Sequence, residues 1–148
     1  MQLSGNKPIP ASIDKAYGLM TDPEILTRTM PGLKQLTPIS QGEYAADLEV
    51  GVAAVKGKYR GTMRIEDANP PQFYRLILEG QGPGGFVSVN MAVNFTSSDD
   101  GTMVNYEGQA EVGGTIASIG QRMISSVANY LMNQFFQALA KEALHSSP

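Results

Sequence analysis

Three features of the sequence predict an α+β fold in which a curved antiparallel sheet of about seven strands closes around a long C-terminal helix. Residues 33 to 112 alternate apolar and polar side chains with a period of two, interrupted by turn signals at short intervals. After Gly113 and Gly114 the pattern becomes helical and meets no proline until beyond Leu144. With 148 residues the chain has the size that one hydrophobic core usually organises. No linker, repeat or biased segment divides it, so a single domain over 1–148 is predicted, with about 145–148 as a short tail.

Residues 2 to 9 read as a strand ending at Pro8 and Pro10. Ser12 caps a short helix in which Ile13, Ala16, Tyr17 and Met20 share a face. Asp22 before Pro23 starts a second short helix, which Pro31 and Gly32 close. Turn signals at Gln41-Gly42, Asn69-Pro70-Pro71, Pro83-Gly84-Gly85 and Asp99-Asp100-Gly101 then mark out about six antiparallel strands. Ala46, Leu48, Val50 and Val52 oppose Asp47 and Glu49, and Tyr59, Met63 and Ile65 oppose Lys58, Arg60 and Arg64. Val87, Val89, Met91, Val93 and Phe95, then Val104, Tyr106 and Ala110, repeat the pattern. Such a sheet has one dry face and one wet face.

The terminal helix is predicted to run about 30 residues, or roughly 45 Å. Its apolar stripe centres on Ile116, Gly120, Met123, Val127, Leu131 and Ala138, with Ile119, Ile124, Tyr130 and Phe135 on the shoulders. The resulting order is β-α-α-β6-α. A twisted sheet touches one helix along a line, which leaves room for a cavity beside the two small helices.

Composition excludes several functions. Eleven basic and fourteen acidic residues give a net charge of -3, without a Lys/Arg run to track phosphates, so no nucleic-acid partner is expected. The absence of cysteine removes disulfides, thiolate metal sites and cysteine nucleophiles. The one histidine, His145, stands near the C-terminus, and no metal site is predicted. Carboxylate neighbours Glu66-Asp67 and Asp99-Asp100 fall at turns and serve the backbone there. Gly80-Gln81-Gly82-Pro83-Gly84-Gly85 lacks the Lys-Ser/Thr of a phosphate loop and reads as a hairpin carrying Phe86, with a lid as the second reading. No catalytic residue is predicted. With no apolar leader at residues 1–7 and no long apolar run, a soluble, cytoplasmic protein is expected.

Ile9-Pro10-Ala11, Asp22-Pro23, Met30-Pro31-Gly32 and the run from Val52 to Gly61 occur in an order that continues through Pro70-Pro71, Gly80-Gln81-Gly82 and Gly85-Phe86. Gly101-Thr102, Tyr106, Gly113-Gly114, Ile119-Gly120-Gln121-Arg122 and Phe135-Phe136 complete it. In these residues, nearly the whole chain resembles the CoxG family of carbon monoxide dehydrogenase subunits, within the START-like (polyketide cyclase-like, SRPBCC) superfamily of helix-grip folds. It departs from the family pattern at Leu33, where a cysteine is usual, and at Val52, where a proline is frequent. The resemblance implies a non-catalytic accessory protein of a molybdenum carbon monoxide dehydrogenase-type oxidoreductase. It further implies a quinone or other isoprenoid lipid as ligand, no covalently bound cofactor, and peripheral contact with the inner face of the membrane.

Inward-facing residues set the candidate site. Tyr59, Met63, Met91, Tyr106, Met123, Val127, Leu131 and Gln134 are predicted to line an apolar pocket, with Gln134 as the hydrogen-bonding group. The same methionines and tyrosines also suit an ordinary core. Met30, Leu33 and Phe86 are assigned as the gate. The opposite side of the helix has few charges, and Met132, Phe136 and Leu139 are assigned there as an exposed surface for a protein partner. Two other readings stay open: a tether or maturation factor with a solid interior, and a cyclase-like enzyme.

Overall fold

The computed structural model describes residues 1–51 and 55–145. Strand β1 (Gln2–Ile9) leads into two short helices. Ser12 caps α1 (Ile13–Thr21) by accepting from the Lys15 amide at 3.3 Å. Asp22 caps α2 (Pro23–Thr29) by accepting from the Glu24 amide at 2.9 Å. Pro23 fits the first turn of α2 because its missing N–H would have had no helical partner there. Six strands follow: β2 (Leu33–Ser40), β3 (Glu43–Val50), β4 (Gly57–Asn69), β5 (Phe73–Gly82), β6 (Gly85–Ser98) and β7 (Gly101–Gly113). Helix α3 (Gln121–His145) ends the described chain.

The seven strands form one antiparallel sheet in the order β1-β7-β6-β5-β4-β3-β2. It is a meander apart from the α1–α2 connection, which joins its two edge strands. The period-two pattern sorts the faces as predicted. Ala46, Tyr59, Met63, Met91, Val93, Phe95, Val104, Tyr106 and Ala110 are buried, while Leu48 and Val50 are half-buried. Asp47–Arg60, Arg64–Glu66, Arg64–Glu79 and Arg75–Asp67 pair on exposed or half-exposed positions. Val52, assigned inward from the sequence, lies outside the described residues. The core packs the dry face against α1, α2 and α3 through Met20, Leu26, Tyr74, Phe95, Phe136 and Leu139, among others.

The terminal helix departs from its prediction in two ways. First, Gly114–Ile119 forms a 3₁₀ turn, and the α-helix begins only at Gln121. Gly114 (φ 78°) and Gly120 (φ 95°) adopt left-handed backbone that interrupts a continuous α-helix. The Ile116 amide and the Thr115 hydroxyl both donate to the Gly84 carbonyl at 2.9 Å, tying this turn to the β5–β6 hairpin. The 25 residues of α3 therefore span about 37 Å.

Second, α3 is rotated. Its buried residues are Ile124, Val127, Phe135, Phe136, Leu139 and Ala143, whose centre lies about 100° from the predicted stripe, one residue's turn of a helix. Phe136 is 6% exposed, Leu139 is 0% exposed and Met132 packs partly buried against the core, so the assigned partner surface faces inward. Two adjacent phenylalanines bury more apolar area than the smaller residues of the predicted stripe, and they take the core-facing position. Phe136 stacks on Tyr106 with ring centroids 6.0 Å apart. Met123 and Tyr130 turn outward instead, at 48% and 51% exposure. Polar contacts hold this rotation: Lys7 Nζ donates to Asn133 Oδ1 at 2.7 Å, and Lys15 Nζ donates to the Ala143 carbonyl at 2.8 Å near the helix C-terminus.

Candidate functional site

The side of α3 that turns away from the core leaves a gap against the α2–β2 connection and the end of β3. Two open hollows fill that gap. The first, about 410 Å³, lies between the turn at Met30–Leu33 and Gln134, Gln137 and Ala138 of α3. The second, about 560 Å³, is walled by Val50, Tyr130 and Leu131. Pro31, Gly32 and Gln134 border both, so the hollows form one groove.

Local geometry fixes its walls. Gly32 (φ 84°) accepts from the Glu49 amide at 2.7 Å, which sews the turn to β3. A Cβ on Gly32 would stand 2.8 Å from the Glu49 carbonyl oxygen, so the close approach needs glycine. On the facing helix, Gln134 Nε2 donates to the Tyr130 hydroxyl at 2.8 Å, one turn earlier. Arg28 and Glu142 pair at 2.6 Å and join α2 to α3. The hydrogen bond to Glu142 is the main cause that raises the Arg28 pKa.

The groove brings together part of the predicted site. Leu131 and Gln134 line it, and so do Met30 and Leu33 of the assigned gate. Gln134 is exposed rather than buried in an apolar stripe, a consequence of the helix rotation. The other residues stand elsewhere. Met63, Met91 and Tyr106 belong to the packed core, and Val127 is buried on α3. Tyr59 is buried and donates its hydroxyl to the Val55 carbonyl at 2.7 Å. Met123 is exposed. Phe86, opposite Gly113 in the β6–β7 ladder, lines neither hollow. Sequence reasoning missed Pro31, Gly32, Val50, Tyr130, Gln137 and the cations Arg28, Lys34 and Lys141 as groove residues. Only the Met30-Pro31-Gly32 motif and the shoulder position of Tyr130 pointed toward them.

Burial raises the pKa of Tyr59 and Tyr106, which keeps both phenols protonated and uncharged well into the alkaline range. Among the described residues no buried side-chain nitrogen or oxygen lacks a hydrogen-bond partner, and no three His, Cys, Asp or Glu side chains cluster to hold a metal. What the arrangement does supply is an open groove, mainly apolar in its second hollow at Pro31, Val50, Tyr130 and Leu131, and polar in its first, where Gln134, Gln137, Arg28, Lys34 and Lys141 line it. Such a surface suits an elongated ligand with a polar end.

A family model for CoxG, a carbon monoxide dehydrogenase subunit, matches residues 5–144. The chain belongs to the CoxG family. This CoxG chain is similar to a conserved protein from Geobacillus kaustophilus, with 36% identity and a TM-score of 0.94 over 97% of this chain and 95% of that one. A START superfamily protein from Mycobacterium smegmatis shares 14% identity at a TM-score of 0.74, covering 96% of both chains. A Thermus thermophilus protein shares 16% at 0.75, covering 100% of both. These distant likenesses show the START-like fold. No curated protein sequence matches the chain. Among the described residues, no helix of this CoxG chain is long and apolar enough to cross a membrane.

Proposed function

We propose that the protein is a non-catalytic accessory factor of a molybdenum carbon monoxide dehydrogenase-type oxidoreductase. It takes up a hydrophobic ligand, a quinone or another isoprenoid lipid, and links the enzyme to the quinone pool from the cytoplasmic face of the membrane. The observation that carries this reading is the groove between α3 and the Met30–Leu33 turn, in a chain of the CoxG family. Pro31, Val50 and Leu131 offer apolar walls, and the Gln134 amide offers a hydrogen bond to a polar ring or head group. Each methylene moved from water onto such walls contributes about 0.8 kcal/mol, so one five-carbon isoprenoid unit supplies several kcal/mol against the cost of association. Because the groove is open, a long tail extends beyond it.

The test is native mass spectrometry after incubation with a short-chain quinone and with a bacterial lipid extract, alongside co-purification with the dehydrogenase. Wild type is expected to retain one ligand per chain, and Leu131→Glu to lose it. Failure of wild type to retain any quinone or lipid sinks the carrier reading. A stable dehydrogenase complex under those circumstances supports a tether instead.

A further inference from the structure

The β5–β6 hairpin and the turn from β7 into α3 form one end of the sheet, and neither segment carries a charge. Residues 80–90 and 112–121 contain no Asp, Glu, Lys or Arg. The two are sewn together: the Thr115 hydroxyl and the Ile116 amide both donate to the Gly84 carbonyl, and Phe86 stands opposite Gly113 in the ladder. A Cβ on Gly113 would collide with the Phe86 ring, so glycine lets that ring lie against the backbone while the residue stays 42% exposed. Met123, in the first turn of α3, is a second bulky apolar side chain exposed at this end.

The fold also segregates charge along the strands. The antiparallel ladder sends the other turns to the far end, where Glu66 and Asp67 precede the β4–β5 turn and Asp99 and Asp100 make the β6–β7 turn. Around the uncharged end Lys56, Lys58 and Arg122 stand with Glu49 and Glu111. An anionic surface therefore meets the uncharged end with the carboxylate-rich turns held away from it. Val50 and Gly51, which wall the second hollow, lie at this same end, because Val50 pairs with Gly57 at the start of β4. Met123 and Tyr130 are two helical turns apart on the outward side of α3, about 10 Å along its axis, and Tyr130 belongs to that hollow too.

We propose that this end is the surface by which the protein sits on a lipid bilayer, with Phe86 and Met123 dipping into the acyl boundary. This rests on the reading of the protein as a carrier that works at the membrane, and it adds the surface and the orientation: the second hollow then opens beside the lipid from which a quinone is drawn. The charge distribution sets the orientation, and apolar burial sets the strength. Because the contact segments are uncharged, salt screens little of that attachment. The hydrogen bonds to Gly84 already hold the hairpin against the turn, so little ordering is left to lose on contact.

Sedimentation of the full chain with sucrose-loaded vesicles of equal parts phosphatidylcholine and phosphatidylglycerol tests this. Wild type is expected to bind and to keep most of its binding at high salt. The double variant Phe86→Ser/Met123→Ser is expected to bind about a hundredfold more weakly, since each bulky apolar side chain taken from water is worth about tenfold in partition. The chain has no cysteine, so Pro83→Cys and Asp99→Cys each accept a single environment-sensitive nitrobenzoxadiazole label. On vesicles the label at position 83 is expected to shift to the blue and the label at position 99 to stay unchanged. A wild type that ignores the vesicles, a double variant that binds as wild type does, or a shift at position 99 without one at 83 overturns the proposal. A double variant that keeps its vesicle binding and loses its complex with the dehydrogenase makes this end a protein-docking surface, which also overturns it. A wild type that ignores vesicles yet retains a short-chain quinone sinks the bilayer surface alone, whereas one that binds neither sinks the ligand reading as well.

Discussion

Tyr74 is enclosed between Tyr17 and Phe95, with ring centroids at 5.8 and 5.9 Å, and its hydroxyl donates to the Met20 carbonyl at 3.1 Å. Burial first, and the neighbouring Tyr17 second, push its pKa far above the usual tyrosine value. A phenol whose folded-state pKa is raised keeps its proton in the native chain after the unfolded chain has lost it. The stabilisation is therefore complete below about pH 10 and disappears as pH climbs through the folded-state value. Tyr17, Tyr59 and Tyr106 shift in the same direction through burial and add to the alkaline loss. Tyr74→Phe is expected to cost about 1 kcal/mol at pH 7 through the lost hydrogen bond. Its stability should then fall less steeply than wild type between pH 10 and 11, as read by urea unfolding at each pH. An equally steep fall in the variant would assign the alkaline sensitivity to other groups.

At the scale of elements, the rotation of α3 decides which substitutions matter. Phe136→Ala opens the stack with Tyr106 and is expected to destabilise by about 3–5 kcal/mol. Met123→Ala, on the exposed side, should stay within about 0.5 kcal/mol. Thermal or urea unfolding of the two variants checks this, and the reverse ranking would restore the predicted stripe. The strands were legible because their side chains obey a period of two and because glycine and proline mark the turns between them. The orientation of α3 was less legible. The predicted stripe through Met123, Val127, Leu131 and Ala138 left Phe136 and Leu139 on the opposite side, although the paired phenylalanines carry the larger apolar area and set the buried face. Hydrophobic periodicity locates a face well only when the largest apolar side chains are weighted by the area they bury.

For the molecule as a whole, the groove was only partly legible because it is assembled from three distant stretches of chain: the α2–β2 turn, the end of β3 and the later half of α3. Met30, Leu33, Leu131 and Gln134 were visible as candidates, whereas the placing of Lys34 and Lys141 along one hollow depends on how α3 is rotated in the fold. The sheet's connectivity has a consequence of its own. Strand β1 pairs with β7, from Ile9 opposite Thr102 to Gln2 opposite Gln109, while every other neighbouring pair of strands is consecutive in sequence. Closing a loop of about one hundred residues costs roughly 2 kcal/mol more entropy than closing one of ten. During synthesis the opening strand thus emerges long before its mate exists, and the consecutive hairpins have a head start on it. Pulse-labelling hydrogen exchange during refolding is expected to protect the amides of β4, β5 and β6 before those of β1. Simultaneous protection would mean that the first nine residues are recruited at the nucleating step and do not wait for the ribosome to finish the rest of the sheet.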